Sequence, residues 1–204
     1  INGSPAKVEI TENAPNGITV AGMDVTINSE YLGTAPRIGG TTEGFLESAI
    51  TFNTKMIMVV NLLGNPNNFD AINSHIKGKD IFIFEDNCES MGAEYKGNQT
   101  GTFGIMSFYS MYYGHHISTI EGGMVCTNYD EINELLLMIR SHGWDRDLDE
   151  GSKNVLRSTN RVDDFSAQFA FYLPGLNVRS TDLQAVIGLR QVDKIDQFSA
   201  ARNK

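Results

Sequence analysis

Residues 56–86 read MIMVVNLLGNPNNFDAINSHIKGKDIFIFED, and their pattern decides the fold. The apolar run Met56–Leu63 has the length and the Val/Ile content of a strand buried on both faces. Phe69, Ile72 and Ile76 then fall at helical spacing within 67–76, and Gly78 closes that helix. Asp80–Glu85 forms a second apolar run of the same kind. Strand, helix and strand in succession make a βαβ unit, whose two strands must run parallel because the helix carries the chain back to its starting edge.

Outward from this unit the same alternation continues. Ile105–Tyr109 and Gly123–Thr127 read as strands, and Ile132, Leu135, Leu136 and Ile139 lie at i, i+3, i+4 and i+7 of a helix. Residues 151–164 are polar and charged without a clear period, and read as an exposed loop. Pro174 and Gly175 punctuate the chain, after which Ser180 or Thr181 caps a long helix beginning near Asp182. Upstream, a helical pattern covers Glu43–Ile50. Residues 1–41 are polar and Gly-rich, with short strand-like pieces at Ile18–Ala21 and Asp24–Ile27. The expected fold is α/β, a mostly parallel sheet flanked by helices, with a large-domain portion over 42–172 and the start of a smaller domain over 173–204.

Composition narrows the function. The 204 residues carry 16 Lys+Arg against 25 Asp+Glu, and the resulting net charge of −9 disfavours binding to nucleic acid or to an anionic membrane surface. The longest apolar stretches are too short to cross a bilayer, and no basic-then-apolar leader opens the sequence. Two cysteines, Cys88 and Cys126, cannot form a disulfide framework, a four-thiolate metal site or a four-cysteine iron–sulfur cluster. A soluble cytoplasmic protein with reduced thiols is expected. The chain opens on Ile1 and stops at Lys204 within a helical pattern, as a piece of a longer protein would.

In a parallel sheet, ligands bind beyond the carboxyl ends of the strands. Glu85, Asp86 and Glu89 stand at the end of one strand, where an acidic side chain either faces a ligand or merely caps a turn. Ser110 ends another and leads into Gly114-His115-His116, and Glu121-Gly122-Gly123 lets backbone approach closely or turn tightly. Adjacent histidines in an extended segment point apart, which argues against a two-ligand metal site, so no metal is expected. A histidine titrating near neutrality instead suits general acid–base work. Tyr109, Tyr112 and Tyr113 either line a pocket or pack in the core.

Five blocks in order, EDNCESMGAEYKG (85–97), GTFG (101–104), SMYYGHHISTIEGG (110–123), RSHGW (140–144) and LPGLNVRSTDLQAVIGLRQ (173–191), resemble the DegT-type nucleotide-sugar aminotransferases. That family uses pyridoxal phosphate on the aspartate aminotransferase-like fold. The resemblance places the family's Schiff-base lysine at His115, and no lysine lies between Lys96 and Lys153. Imidazole cannot make the covalent link that a primary amine makes with the cofactor's aldehyde. The pattern is similar to the sugar 3-dehydratase branch of the family, which works through pyridoxamine phosphate.

The resemblance implies a role for each matching residue. Asp86 pairs with the pyridine nitrogen, Ser110 bonds the cofactor phosphate and Glu89 lies near the ring hydroxyl. Asn177 reaches the phosphate in a partner subunit of a homodimer with shared active sites. His115 is the base. His116 is an alternative base, a packing or hydrogen-bonding residue, or a substrate contact, and Arg179 either binds substrate or forms a salt bridge at the foot of the helix. The implied reaction is dehydration at C3 of a nucleotide-linked 4-keto-6-deoxyhexose, with glutamate as amino donor, in deoxysugar synthesis for cell-surface polysaccharide. Two other readings stay open: a sugar 4-aminotransferase, and an inactive remnant of the fold. The family's early phosphate loop and ring-stacking aromatic have no assigned counterpart in residues 1–41.

Overall fold

The computed structural model describes residues 50–202, so the elements expected at Ile18–Ala21, Asp24–Ile27 and Glu43–Ile50 lie outside the described residues apart from Ile50. Strand β1 (Met56–Val60) is followed by a single 3-10 turn at Leu62–Gly64, helix α1 (Phe69–Ile76) and strand β2 (Phe82–Asp86). β1 and β2 pair in parallel, Met56 opposite Phe82 through Val60 opposite Asp86. Strand β1 is shorter than the apolar run predicts, because Leu63 adopts a left-handed φ of 54° that no strand accommodates. Helix α1 begins where Asn68 caps it by accepting from the Ala71 N–H at 3.1 Å.

A small hairpin, β3 (Glu94–Tyr95) with β4 (Asn98–Gln99), precedes β5 (Met106–Ser110) and β6 (Gly123–Thr127). The four long strands lie in the order β1-β2-β5-β6, and β5 pairs in parallel with β2 through Phe84–Met106, Glu85–Ser107 and Asp86–Phe108. Successive side chains of a strand face opposite sides. One side of the sheet therefore carries Ile57, Val59, Ile83 and Glu85, and the other carries Met58, Phe84, Asp86, Phe108 and Ser110.

Among the described residues, the buried apolar cluster lies on the first of these sides. Phe69 and Ile72 of α1 bury against Val59 and Ile83, with Ile50, Ile57, Tyr95 and Phe103 around them. Phe69 stacks on Phe103 with ring centroids 4.1 Å apart. On the other side Met58 is 39% and Phe82 48% exposed. This corrects the expectation of strands buried on both faces: β1 and β2 are apolar on both sides, but a single helix covers them among the described residues.

By contact density the described chain forms two compact units, one of residues 50–126 with 187–202 and one of 127–186. The second unit holds α2 (Asp130–Ile139) and α3 (Glu150–Asn160). Helix α3 overturns the exposed loop expected over 151–164. Asp149 caps it by accepting from the Gly151 and Ser152 N–H groups at 2.8 and 3.1 Å, and Arg161 ends it in the left-handed conformation. Arg157, on α3, bonds the buried Asp145 at 2.7 Å and Asp164 at 3.0 Å. End caps and an ion pair thus hold a helix that has little apolar face to announce it.

Helix α4 (Asp182–Val192) starts as expected. Thr181 and Gln184 cap it reciprocally: the Thr181 N–H donates to the Gln184 side chain at 2.8 Å, and the Gln184 N–H to the Thr181 hydroxyl at 3.4 Å. It does not run on to the end of the chain. A break at Asp193–Lys194 separates it from α5 (Ile195–Arg202).

Candidate active site

The carboxyl ends of β1, β2 and β5 converge on a buried polar network. Asn61 and Asn87, the residues that directly follow β1 and β2, are fully buried together with Ser90. The Asn87 side-chain oxygen accepts from Asn61 and from the Ser90 hydroxyl, each at 2.8 Å. Asn61 in turn accepts from the backbone and side-chain nitrogens of Asn67, both at 3.0 Å. Buried amides of this kind are stable only when bonded, so the network fixes the turns on which the acidic residues stand. The sequence reading missed it, although an Asn closing each of two buried strands is the available signal.

Asp86 is half-buried, and its side chain accepts the Cys88 N–H at 3.0 Å. The Cys88 thiol is pushed up to about 12 by burial first, then by its hydrogen bond to Asp86 and the charges of Asp86 and Glu89. It stays a thiol and is no nucleophile. Glu89 accepts the Leu63 N–H at 3.0 Å, tying the turn after β2 to the turn after β1. Glu85 points to the opposite side of the sheet from Asp86. It is fully buried, and accepts from the N–H groups of Gly101 at 2.6 Å and of Phe103 and Gly104 at 2.7 Å.

Ser110 ends β5 two residues beyond Phe108, the partner of Asp86, so Asp86 and Ser110 share one side of the sheet. Two residues of rise and one strand spacing put their Cα atoms about 8 Å apart. The Ser110 hydroxyl accepts the Tyr112 N–H at 3.2 Å. From there the chain loops back, with the Met111 N–H bonded to Gly122 O at 2.8 Å and the Thr119 N–H to Met111 O at 2.9 Å. Gly123 is required at the foot of the loop, since a Cβ there would lie 2.8 Å from Tyr109 O.

His115 and His116 sit in this loop, both half-buried, and among the described residues the Nδ1 of each is buried without a hydrogen-bond partner. The His115 ring meets Tyr112 edge-on, centroids 5.5 Å apart. Tyr113 is exposed, while Tyr109 turns to the far side and donates to Thr100 O at 3.1 Å. Burial holds His116 below its ordinary value of 6.5; the charges of Arg202 on α5 and of His115 act the same way, and Glu89 opposes them.

That depression has a sign in stability. Between the folded value and about 6.5 the unfolded chain binds more protons than the folded one, so stability rises with pH through this window and is lost as pH falls through it. The melting temperature is expected to drop between about pH 7 and about pH 5, and His116→Gln is expected to flatten that drop. Identical slopes in both proteins would exclude His116 as the source.

The second unit holds the block at 140–144 and the last block as far as Val186. An antiparallel bridge joins Ser141 to Asn177, flanked by the His142 N–H to Leu176 O at 2.8 Å and the Val178 N–H to Arg140 O at 3.1 Å. Gly143, at φ 83°, passes so close to Leu173 that a Cβ would lie 1.9 Å from its carbonyl oxygen. Asn177 and Arg179 are exposed, and Arg179 donates to the Asn177 side chain at 3.3 Å rather than to an acid. His142 packs its ring edge-on to Trp144 at 4.9 Å.

Residues 34–204 match the DegT/DnrJ/EryC1/StrS aminotransferase family. The chain belongs to that family. The five-block resemblance is thereby borne out, and with it the mostly parallel α/β fold. Over 159 residues this family member is 50% identical to GDP-4-keto-6-deoxy-D-mannose 3-dehydratase of Yersinia pseudotuberculosis, covering 78% of this chain and 40% of that protein. Among solved structures it resembles a histidine-to-asparagine mutant of GDP-4-keto-6-deoxymannose-3-dehydratase with bound GDP-perosamine, with TM-score 0.68 and 47% identity over 76% of this chain and 40% of that one. It also resembles that enzyme with a trapped PLP-glutamate geminal diamine, with TM-score 0.66 and 43% identity over the same shares. The chain thus spans about two-fifths of the length of the relatives it matches.

Proposed function

We propose that this chain holds the catalytic strand ends of a pyridoxal-phosphate-dependent enzyme that removes the C3 hydroxyl of a nucleotide-linked 4-keto-6-deoxyhexose. The observation that carries the reading is a half-buried imidazole, His115, whose Nδ1 has no hydrogen-bond partner among the described residues, in the loop after Ser110 and in a stretch from residue 97 to 152 that contains no lysine. A 4-aminotransferase of this family needs an amine there.

The donor set fits the cofactor. Asp86 offers a carboxylate to a protonated ring nitrogen and Ser110 a hydroxyl to a phosphate, on the same side of the sheet. When bound, pyridoxal phosphate or its amine form supplies an electron sink. Asp86 would keep that sink charged, and Glu89, anchored on the Leu63 N–H, would stand toward the ring hydroxyl. His115 offers an imidazole nitrogen as proton acceptor and makes no stable covalent link with an aldehyde. Asn177 serves the phosphate of a partner subunit, and the homodimer shares its two sites. His116 is held below its ordinary value by burial and by Arg202 and is assigned a packing role, and Arg179, bonded to Asn177, is assigned to substrate binding.

Overall, the 4-keto sugar and glutamate become the 3-deoxy-4-keto sugar, 2-oxoglutarate and ammonia: the C3–O bond breaks, and glutamate supplies the two electrons. Incubation with pyridoxal phosphate, glutamate and GDP-4-keto-6-deoxymannose, read by mass spectrometry, tests this. A product short of one oxygen, with ammonia released, supports it. An amino sugar retaining its C3 hydroxyl would make the protein an aminotransferase, and absence of any cofactor spectrum would make it a remnant.

A further inference from the structure

Glu85 is the most deeply buried acid of the strand-end cluster, yet it faces away from Asp86 and Ser110. Its two oxygens receive three backbone N–H groups: Oε2 takes Gly101 at 2.6 Å, and Oε1 takes Phe103 and Gly104 at 2.7 Å each. These donors belong to the segment that enters β5. The adjoining Ile105 N–H bonds Ile83 O at 2.9 Å, and a Cβ on Gly104 would lie 2.4 Å from the same oxygen. On the far side of the segment, Tyr109 fills the space where a Gly101 Cβ would stand, 2.0 Å from its hydroxyl. The entry to β5 is thus pressed onto β2 with no slack.

We propose that Glu85 is a positioning residue that pins β5 in register against β2 and so sets the separation of Asp86 from Ser110. A slip of one residue in β5 would turn Ser110 to the other side of the sheet. A carboxylate is required because it is acceptor-only at both oxygens. In glutamine one of the two positions becomes an NH₂ group facing an N–H, so at least one of the three bonds becomes a repulsion. This inference rests on the cofactor reading only in what the two pinned residues bind.

The test compares pyridoxal phosphate with pyridoxal, which lacks the phosphate, in the wild-type chain and in Glu85→Gln, with melting temperature recorded in parallel. Misplacing Ser110 weakens the phosphate anchor alone, so the affinity for pyridoxal phosphate is expected to fall about tenfold while that for pyridoxal holds. An equal loss for both ligands, or none, would reduce Glu85 to a generally structural residue and overturn the proposal. Amide exchange on the wild-type chain decides the register claim without any ligand or variant. Gly101, Phe103 and Gly104 are expected to open together with the Phe108 and Ile105 amides in one step, and early, independent exchange of the three would overturn it. A wild-type chain that binds pyridoxal phosphate no better than pyridoxal would sink the phosphate role of Ser110, and the exchange result would still decide the pin.

Discussion

His115→Lys is expected to convert the proposed non-covalent cofactor site into a covalent one. The new primary amine stands in the loop between β5 and β6, the position at which the family resemblance expects an amine, and no lysine of residues 97–152 competes with it. Of the flanking lysines, Lys96 is engaged with Asp70 on α1. The variant is expected to retain pyridoxal phosphate through denaturing gel filtration after borohydride treatment, whereas the wild type releases it. Turnover falls at the same time. A general base positioned in the transition state contributes roughly 10²–10⁴-fold, and losing His115 removes that factor. The amine would also recapture the aldehyde and withdraw cofactor from the amine-bearing form. Undiminished dehydration in this variant would take His115 out of the chemistry.

Asp86→Asn is the second large effect. The amide oxygen can still accept the Cys88 N–H that Asp86 accepts at 3.0 Å, so the turn after β2 should survive. The negative charge that Asp86 is proposed to offer the ring nitrogen is lost. A hydrogen bond to a charged group is worth about 1.5–3 kcal/mol, so cofactor affinity is expected to fall roughly tenfold to a hundredfold. Turnover should fall further than affinity, because an uncharged ring is a poorer electron sink. A variant with wild-type turnover at saturating cofactor would show that Asp86 does not face the ring.

The βαβ core was legible because its signals are local and redundant. Val59, Phe69, Ile72 and Ile83 carry the apolar pattern and are the residues that form the buried cluster. Helix α3 was not legible, because its stability comes from Asp149 at one end, Arg161 at the other and the distant Asp145 gripping Arg157. A period search sees none of these. The sidedness of the strand-end acids lay between the two cases. Alternation along β2 separates Glu85 from Asp86, but only the pairing of Asp86 with Phe108 places Ser110 on the Asp86 side. Register is a property of two strands and is not written in either.

Asn61 and Asn87 were overlooked for a different reason. An asparagine after a strand is ordinary turn chemistry, and the one signal that sets these two apart is that each closes a buried strand; they are fully buried and bonded to each other. Asn177 and Arg179 illustrate the reverse. The resemblance gives them roles, and within the second unit they lie exposed, paired with one another across 3.3 Å.

A crystal structure of the chain with pyridoxamine phosphate measures the central claim most directly. The account predicts the ring nitrogen at hydrogen-bonding distance from the Asp86 carboxylate, the phosphate on the Ser110 hydroxyl, His115 beside the exocyclic carbon, and no covalent bond to any side chain. Density running from the cofactor into a lysine, or a ring bound away from Asp86, would contradict it.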